Sequence, residues 1–537
     1  MESKDMKKIF SIVLICGGLL SSSCSDWLDL LPNNEQVTDQ YWKSKEDVEA
    51  VVASGYYYMR QNITRMMQLG ELRGGTLYTK GNLSWTNNAE KMQDFNLQPS
   101  HGICKYEDIY KVIGMANSVL HYAAGVRTLD NTYTEGALKA HMAEAYFMRA
   151  YCNFLLVRNW RDVPLVTEAF VTDRADYNLP VSSEEDIIDC IKSDLLTAIE
   201  SGGAKTIYEE EWQTKGRATI WALYALMADV CLWDEDYDNA IIYCNKILEV
   251  PEGDTSIRPK FIADATKWFE IFYPGNSNES IFELNFNYAL YQETNAFANQ
   301  LSITSAQSSG FVLTERAVDK MKQEAAEVIK AQNNVVPERV GRTLMASVIY
   351  PGMVAPYSDY VRQQDLLLWK YHGTDVVDVG NFRENLDPNF IIYRVAEIIL
   401  IKAEALVMKG ESGSEEWKTA IALINQIRER AMLPALDEES TLEVSKLELL
   451  DMVLHEREME FLGEGKRWYD LLRVARKNNY AKEYKDYVLS LILEGNTTTN
   501  DLWIKSVLLD NNAFYLPIPQ SEIDVNPNLE QNPYYTN

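Results

Sequence analysis

Histidine is scarce: the 537 residues hold five, His101, His121, His141, His372 and His455, and no two stand at the spacing that sets a pair of imidazoles on one helical face. A histidine-held metal is therefore not expected. The catalytic signatures that spacing can reveal are missing as well. There is no Gly-x-Ser-x-Gly elbow, no glycine loop ending in Lys-Ser or Lys-Thr, and no His-Glu-x-x-His, because Met459 stands where the second histidine would follow His455-Glu456. Asp234, Asp236 and Asp238 alternate like the start of a calcium loop, but Asn239 and Asn245 occupy the positions of its glycine and closing glutamate. They read instead as an inter-helix turn whose acids cap the next helix. Positive charge is deficient too: 51 Lys and Arg face 79 Asp and Glu, a net charge of −28. That balance excludes nucleic acid, whose phosphates need clustered cations, and electrostatic adsorption to anionic lipid. A neutral, cationic or protein partner fits, and no cofactor is indicated.

The N-terminus is informative by what it contains. Lys4, Lys7 and Lys8 precede an apolar run from Ile9 to Leu20, and Ser21, Ser22 and Ser23 then lead to Cys24. Basic, apolar, small is the order of a secretory signal, and 12 apolar residues fall short of the roughly 20 that span a bilayer. A cysteine directly after the small residues is the arrangement of a bacterial lipoprotein, so residues 1–23 are expected to be removed and Cys24 to carry the lipid. Several acyl chains at one site would make a lasting tether. Cys16 leaves with the signal. Cys104, Cys152, Cys190, Cys231 and Cys244 remain, an odd number without Cys-x-x-Cys spacing, and read mainly as small core residues, with one disulfide left open.

The rest of the chain reads as mainly α, with helix hairpins separated by long loops. In Ala218 to Val250, Leu223, Leu226, Met227 and Val230 recur at helical spacing, and Ala228, Tyr237 and Ala240 fall at tetratricopeptide spacing. A second hairpin couples Tyr393–Met408 to Glu415–Arg430. A third couples Glu135–Val157 to a helix opening at Ser182, where Ser182 and Glu185 suit a capping box. One further helix is expected from about Lys446 to Ala475 and another from near Ser44. Residues 251–390 and 476–515, with a strand-like run at Ser280–Asn285 in the first, read as a loop-rich subdomain on this scaffold. The divisions expected are thus a signal at 1–23, an N-terminal hairpin region at 24–250, the loop-rich subdomain at 251–390 and a C-terminal helical region with its tail at 391–537.

The segment from His455 to Arg473 is dense in charge at helical spacing. Glu456 and Glu460 share a face, and Arg457, Arg467, Asp470 and Arg473 can pair with them or with neighbouring helices, which predicts an ion-pair network tying the last helices to the scaffold. Within it, Glu456-Arg-Glu-Met-Glu-Phe-Leu-Gly-Glu-Gly-Lys-Arg-Trp-Tyr-Asp-Leu471 resembles the signature of the SusD/RagB family of outer-membrane nutrient-binding lipoproteins of Bacteroidetes. Ala143-Glu-Ala-Tyr-Phe-Met-Arg-Ala-Tyr151, Tyr393-Arg-Val-Ala-Glu-Ile-Ile-Leu-Ile-Lys-Ala-Glu-Ala405 and Leu516-Pro-Ile-Pro519 agree with it. The resemblance implies a tetratricopeptide-like helical fold without catalysis. It also implies a lipid-anchored protein on the exterior of the outer membrane that binds glycan, or in some members peptide, and delivers it to a TonB-dependent SusC-like transporter. A surface glycosidase, with two carboxylates facing a cleft, is the competing class.

In such relatives the ligand meets an exposed aromatic arc from the early loops and the loop-rich subdomain. Flat rings suit the C–H faces of sugars, while Arg and Asn bond to hydroxyls. The corresponding expectation names Arg73, Tyr78, Asn82 and Trp85 in the early segment, and Trp268, Tyr291, Trp369 and Tyr371 in the later loops. Trp85, in the polar run Asn82-Leu-Ser-Trp-Thr-Asn87, is the foremost of them.

Overall fold

Alternating apolar stripes and side-chain caps set where the helices begin and which face each buries. The computed structural model describes residues 41–79, 87–169, 178–300, 310–333, 368–374, 383–496 and 501–536. Helix α1 (Lys45–Gln61) starts at a capping box in which Ser44 and Asp47 satisfy each other's backbone N–H groups, and it buries Val48, Val51, Val52, Gly55 and Met59. After α2 (Ile63–Glu71) and strand β1 (Leu77–Thr79) come two long helices, α3 (Glu107–Leu129) and α4 (Glu135–Trp160). Helix α5 (Glu184–Glu200) packs on α4. The short α6 (Glu211–Gly216) precedes the hairpin α7 (Ile220–Trp233) and α8 (Tyr237–Leu248).

Strand β2 (Ser280–Leu284), the single turn α9 (Tyr288–Tyr291), strand β3 (Phe311–Leu313) and α10 (Glu315–Ala331) belong to the loop-rich stretch. Strand β4 (Phe390–Arg394) then runs directly into α11 (Val395–Lys409), which pairs with α12 (Glu415–Arg430). Helices α13 (Lys446–Glu460), α14 (Arg467–Ala475) and α15 (Lys482–Glu494) close the scaffold, and α15 is a helix within the 476–515 stretch expected to be loop-rich. Successive helices pack α1 on α3, α3 on α4, α4 on α5, α5 on α7, α7 on α8, α8 on α11 and α11 on α12. Hairpins distant in sequence thus form one row with a continuous core, as stacked repeats do. Ala228 and Ala240, both fully buried, leave room for the close approach of α7 and α8.

Two small antiparallel pairs fasten the loop-rich stretch to this row. Strand β1 pairs with β3 (Leu77 opposite Leu313), and β2 pairs with β4 (Ser280 opposite Arg394, Leu284 opposite Phe390). Three expectations need correction. The Tyr393–Met408 helix begins at Val395, because Phe390–Arg394 is spent as a strand beside β2. The cap of α5 is Ser183, whose hydroxyl accepts from Asp186 N–H, because Ser182 instead donates its own N–H to Val163 O at 2.9 Å. The expected Lys446–Ala475 helix is two helices, broken where Gly463 and Gly465 take φ of +73° and +74°.

Cys104, Cys152, Cys190, Cys231 and Cys244 are all free thiols, and all but the half-buried Cys190 are buried. Asp236 caps α8 by accepting from Asn239 N–H, as the acidic turn predicts. Among the described residues no helix is long and apolar enough to cross a membrane, and Cys24 lies outside them.

The charged signature segment is built inward. Arg394 reaches Glu460 at 2.6 Å, Glu464 at 3.0 Å and Glu279 at 3.1 Å, while Arg430 reaches Glu460 at 2.7 Å. Arg457 pairs with Asp470 at 2.8 Å, and Arg473 with Glu404 at 2.7 Å and Asp470 at 2.9 Å. These groups are buried, so each charge depends on its partner: removing one from such a pair costs about 3–5 kcal/mol. The network ties β4, α11, α12, α13 and α14 together, and it is scaffold.

Candidate functional site: an aromatic-edged cleft

Helix α1 carries Glu49, Tyr56 and Arg60, all partly buried, along one flank of the stripe it buries, with Tyr57 exposed beyond them. Gly55 lets α1 sit close on α4, since a Cβ there would lie 2.5 Å from Met148 Sδ. Facing this flank of α1 are α6 and the end of β2. Asn285 Nδ2 donates to Trp212 O at 2.7 Å, and Lys215 Nζ donates to Ser280 O at 2.6 Å, so α6 is held to β2 at both ends. Gly216 leaves room for this contact: a Cβ would stand 2.1 Å from Asn285 Nδ2, so the amide would have to move. Between these elements lies a cavity of ≈ 220 Å³ lined by Tyr56, Tyr57, Arg60, Trp212, Arg217 and Asn285 among others. Tyr57 and Trp212 are 45% and 47% exposed, so two large aromatic side chains at this cavity remain open to solvent.

The cleft wall is a fixed polar network. Arg217 bonds Glu144 through Nε at 2.9 Å and Nη2 at 2.8 Å, and Glu49 through Nη1 at 2.6 Å. Tyr56 donates its hydroxyl to Glu144 at 2.8 Å and accepts from Ala218 N–H at 2.8 Å. His141 Nε2 lies 2.6 Å from Glu49, and its Nδ1 lies 2.8 Å from the Tyr133 hydroxyl. The bond from His141, helped by the charge of Arg217 against partial burial, holds the Glu49 carboxyl down at about 2. Arg60 sits nearer the rim, with Cζ 5.7 Å from the Tyr57 ring centroid and 5.3 Å from that of Phe286. It donates through Nη1 to Asn285 O at 3.0 Å and pairs with Glu293 at 2.5 Å.

That last ion pair connects α1 to the segment carrying α9. Asn287 caps this turn, Asp387 accepts from Tyr288 N–H at 3.0 Å, and Leu290 and Tyr291 are well exposed. Flat exposed rings beside guanidinium and amide groups can hold a sugar by stacking and hydrogen bonding. Among the described residues no group of three His, Cys, Asp or Glu is placed to hold a metal ion.

The sequence-derived contacts divide sharply. Arg73, Trp268 and Tyr371 are buried and face no solvent, which corrects their assignment. Arg73 donates to Phe514 O at 2.9 Å and Asn159 Oδ1 at 3.2 Å and stacks 4.1 Å from the Trp468 ring centroid. Trp268 packs in a small core with Phe272 at 4.8 Å, and the Tyr371 hydroxyl donates to Gly463 O at 2.7 Å. Tyr78 is half-buried in β1 opposite Val312. Tyr291 is exposed on the segment bordering the cleft. Asn82 and Trp85 lie outside the described residues, as does the side chain of Trp369. Sequence reasoning missed Tyr57, Arg60, Trp212 and Asn285. A signal existed for Trp212, a single tryptophan in the polar run Glu209-Glu-Glu-Trp-Gln-Thr214.

Helix and cleft together define a hairpin-built, mainly helical protein with an aromatic-edged surface site. A family model described as SusD family matches residues 370–535, and another described as starch-binding associating with outer membrane matches residues 26–232. The chain belongs to the SusD/RagB family. It is 25% identical to the SusD-like protein P38 of Formosa agariphila, over 86% of this chain and 90% of that one. To a SusD-like protein of Bacteroides ovatus it is 23% identical, over 97% of both. A SusD superfamily protein from Bacteroides vulgatus superposes with a TM-score of 0.69 at 20% identity, over 92% of this chain and 100% of that one. A laminarin-binding SusD-like protein superposes at 0.65 with 21% identity, over 92% and 100%.

Proposed function

We propose that this protein captures glycan at the cell exterior, without cleaving it, and passes it to a TonB-dependent SusC-like transporter in the outer membrane. Cys24 tethers it there by lipid. The observation that carries the reading is the cleft itself, where Tyr57 and Trp212 remain exposed beside Arg60 and Asn285. Family membership, the outer-membrane association in one family description and the laminarin-binding neighbour support it. The contacts proposed are Tyr57, Arg60 and Trp212, with Tyr291 at the border; Tyr78, Asn82, Trp85 and Trp369 form a second proposed set resting on sequence chemistry.

A panel of polysaccharides and protein hydrolysates, followed for both affinity and release of reducing ends, tests this. Saturable glycan binding with no reducing ends is expected. Cleavage abolished by a single Glu or Asp substitution would overturn the reading in favour of a glycosidase, and binding of hydrolysate alone would replace glycan by peptide.

A further inference from the structure

The cleft's cations are already occupied. Recognition of a uronate or sulfate ester is strongest at an unpaired guanidinium or ammonium, ideally an arginine fork. Arg60 and Arg217 are the cations among the residues lining this cavity. Arg217 is held between Glu49 and Glu144, both within 2.8 Å of a guanidinium nitrogen. Arg60 is paired with Glu293 at 2.5 Å. One acid on each arginine also stands further out than its partner, while Glu144, the second acid on Arg217, is buried. Glu49 and Glu293 side chains are 45% and 32% exposed, against 15% for Arg217 and 19% for Arg60. An incoming anion therefore meets carboxylate first, on a chain of net charge −28. An uncharged sugar can use the rings, the amide and peptide groups and a hydrogen bond from Arg60 without displacing Glu293, and meets no such opposition.

We propose that this cleft selects uncharged glycans, and that Glu293 sets the selectivity by occupying Arg60. The inference rests on the glycan-capture reading above and adds the ligand class. Arg217 lies deeper and is closed by two carboxylates, whereas Arg60 has Glu293 as its ion-pair partner among the described residues and sits over the Tyr57 ring at the rim. Releasing Arg60 gives the site a guanidinium able to meet a sugar carboxylate.

The test uses laminarin, soluble starch and xyloglucan, each native and carboxymethylated, with the wild-type protein and Glu293→Gln. Affinity is measured at low salt and at 0.5 M salt, with thermal unfolding of both proteins as a check on folding. The wild type is expected to bind at least one native glycan tenfold or more tighter than its carboxymethyl form. Glu293→Gln should shrink that ratio at least fivefold, and high salt should shrink it in the wild type, because the discrimination is electrostatic. Equal wild-type affinity for native and carboxymethyl forms, a ratio unmoved by Glu293→Gln, or a ratio indifferent to salt would each overturn the inference while leaving glycan capture standing. Absence of binding to every form, native or charged, would instead remove the glycan-capture reading and the inference with it.

Discussion

At the scale of single residues, burial decides what each charged group does. Glu71 is buried at the end of α2, where it accepts from the Thr76 hydroxyl at 2.6 Å and from Gly465 N–H at 2.8 Å. Burial outweighs these bonds and pushes its carboxyl up to about 7. A carboxyl raised in the folded state favours folding most fully below its unfolded value of 4.5, and that contribution is lost as pH rises through about 7. Glu71→Gln should therefore flatten the fall in stability across that window, as read by thermal unfolding at a series of pH values. Glu404 has the opposite sign: burial works to raise it, but Arg473 and Lys477 hold it down at about 2, so its contribution is present above pH 4.5 and lost on acidification towards 2. Arg473→Met leaves Glu404 and Asp470 without this partner and is expected to cost about 3–5 kcal/mol in denaturant unfolding. That such a network exists was legible in the charge spacing of 455–473. Its outside partners were not, because Glu279, Arg394, Glu404 and Arg430 come from other parts of the chain. The same blindness to burial put Arg73, Trp268 and Tyr371 among the ligand contacts: a polar or glycine-rich neighbourhood does not disclose that a ring or guanidinium is covered from elsewhere.

At the scale of elements, local chemistry placed most helices and failed where a tertiary contact competed. The start of α1 near Ser44, the acidic cap of α8 and the stripe of α7 were readable from sequence because each signal is local to its helix. The true cap of α5 and the strand β4 were not, since Val163 and β2 supply the competing bonds from afar. The break between α13 and α14 had a local signal in Gly463 and Gly465, which a long charged pattern obscured. Helix α6 matters most to the site because it presents Trp212, and its seat depends on Gly216 against Asn285. Gly216→Ala should displace the Asn285 amide, weaken its bond to Trp212 O and lower glycan affinity severalfold. A binding titration alongside thermal unfolding reads this, with the affinity loss expected even where the melting temperature shifts by only a few degrees.

At the scale of the whole molecule, a row of hairpins with a continuous core, closed by buried ion pairs, carries the loops and short helices. Rings held by such packing would lose little conformational freedom when a ligand docks. The lipid proposed on Cys24 would fix this body beside a transporter without entering its structure. Cys24→Ser should abolish membrane retention in cell fractionation and leave glycan affinity of the purified protein unaltered; retention of the variant would contradict the tether. The family and the hairpin architecture were evident from the sequence, because signature and periodicity are both patterns along the chain. The cleft was not, because α1, α6 and β2 meet only in the fold. On the function proposed above, glycan is held at that cleft. The most direct measurement of this is the affinity of the double variant Tyr57→Ala, Trp212→Ala for the polysaccharide the wild type binds best, with circular dichroism confirming an unchanged fold. A loss of at least tenfold, about 1.4 kcal/mol, is expected; undiminished affinity in a folded double variant would show that glycan is held elsewhere.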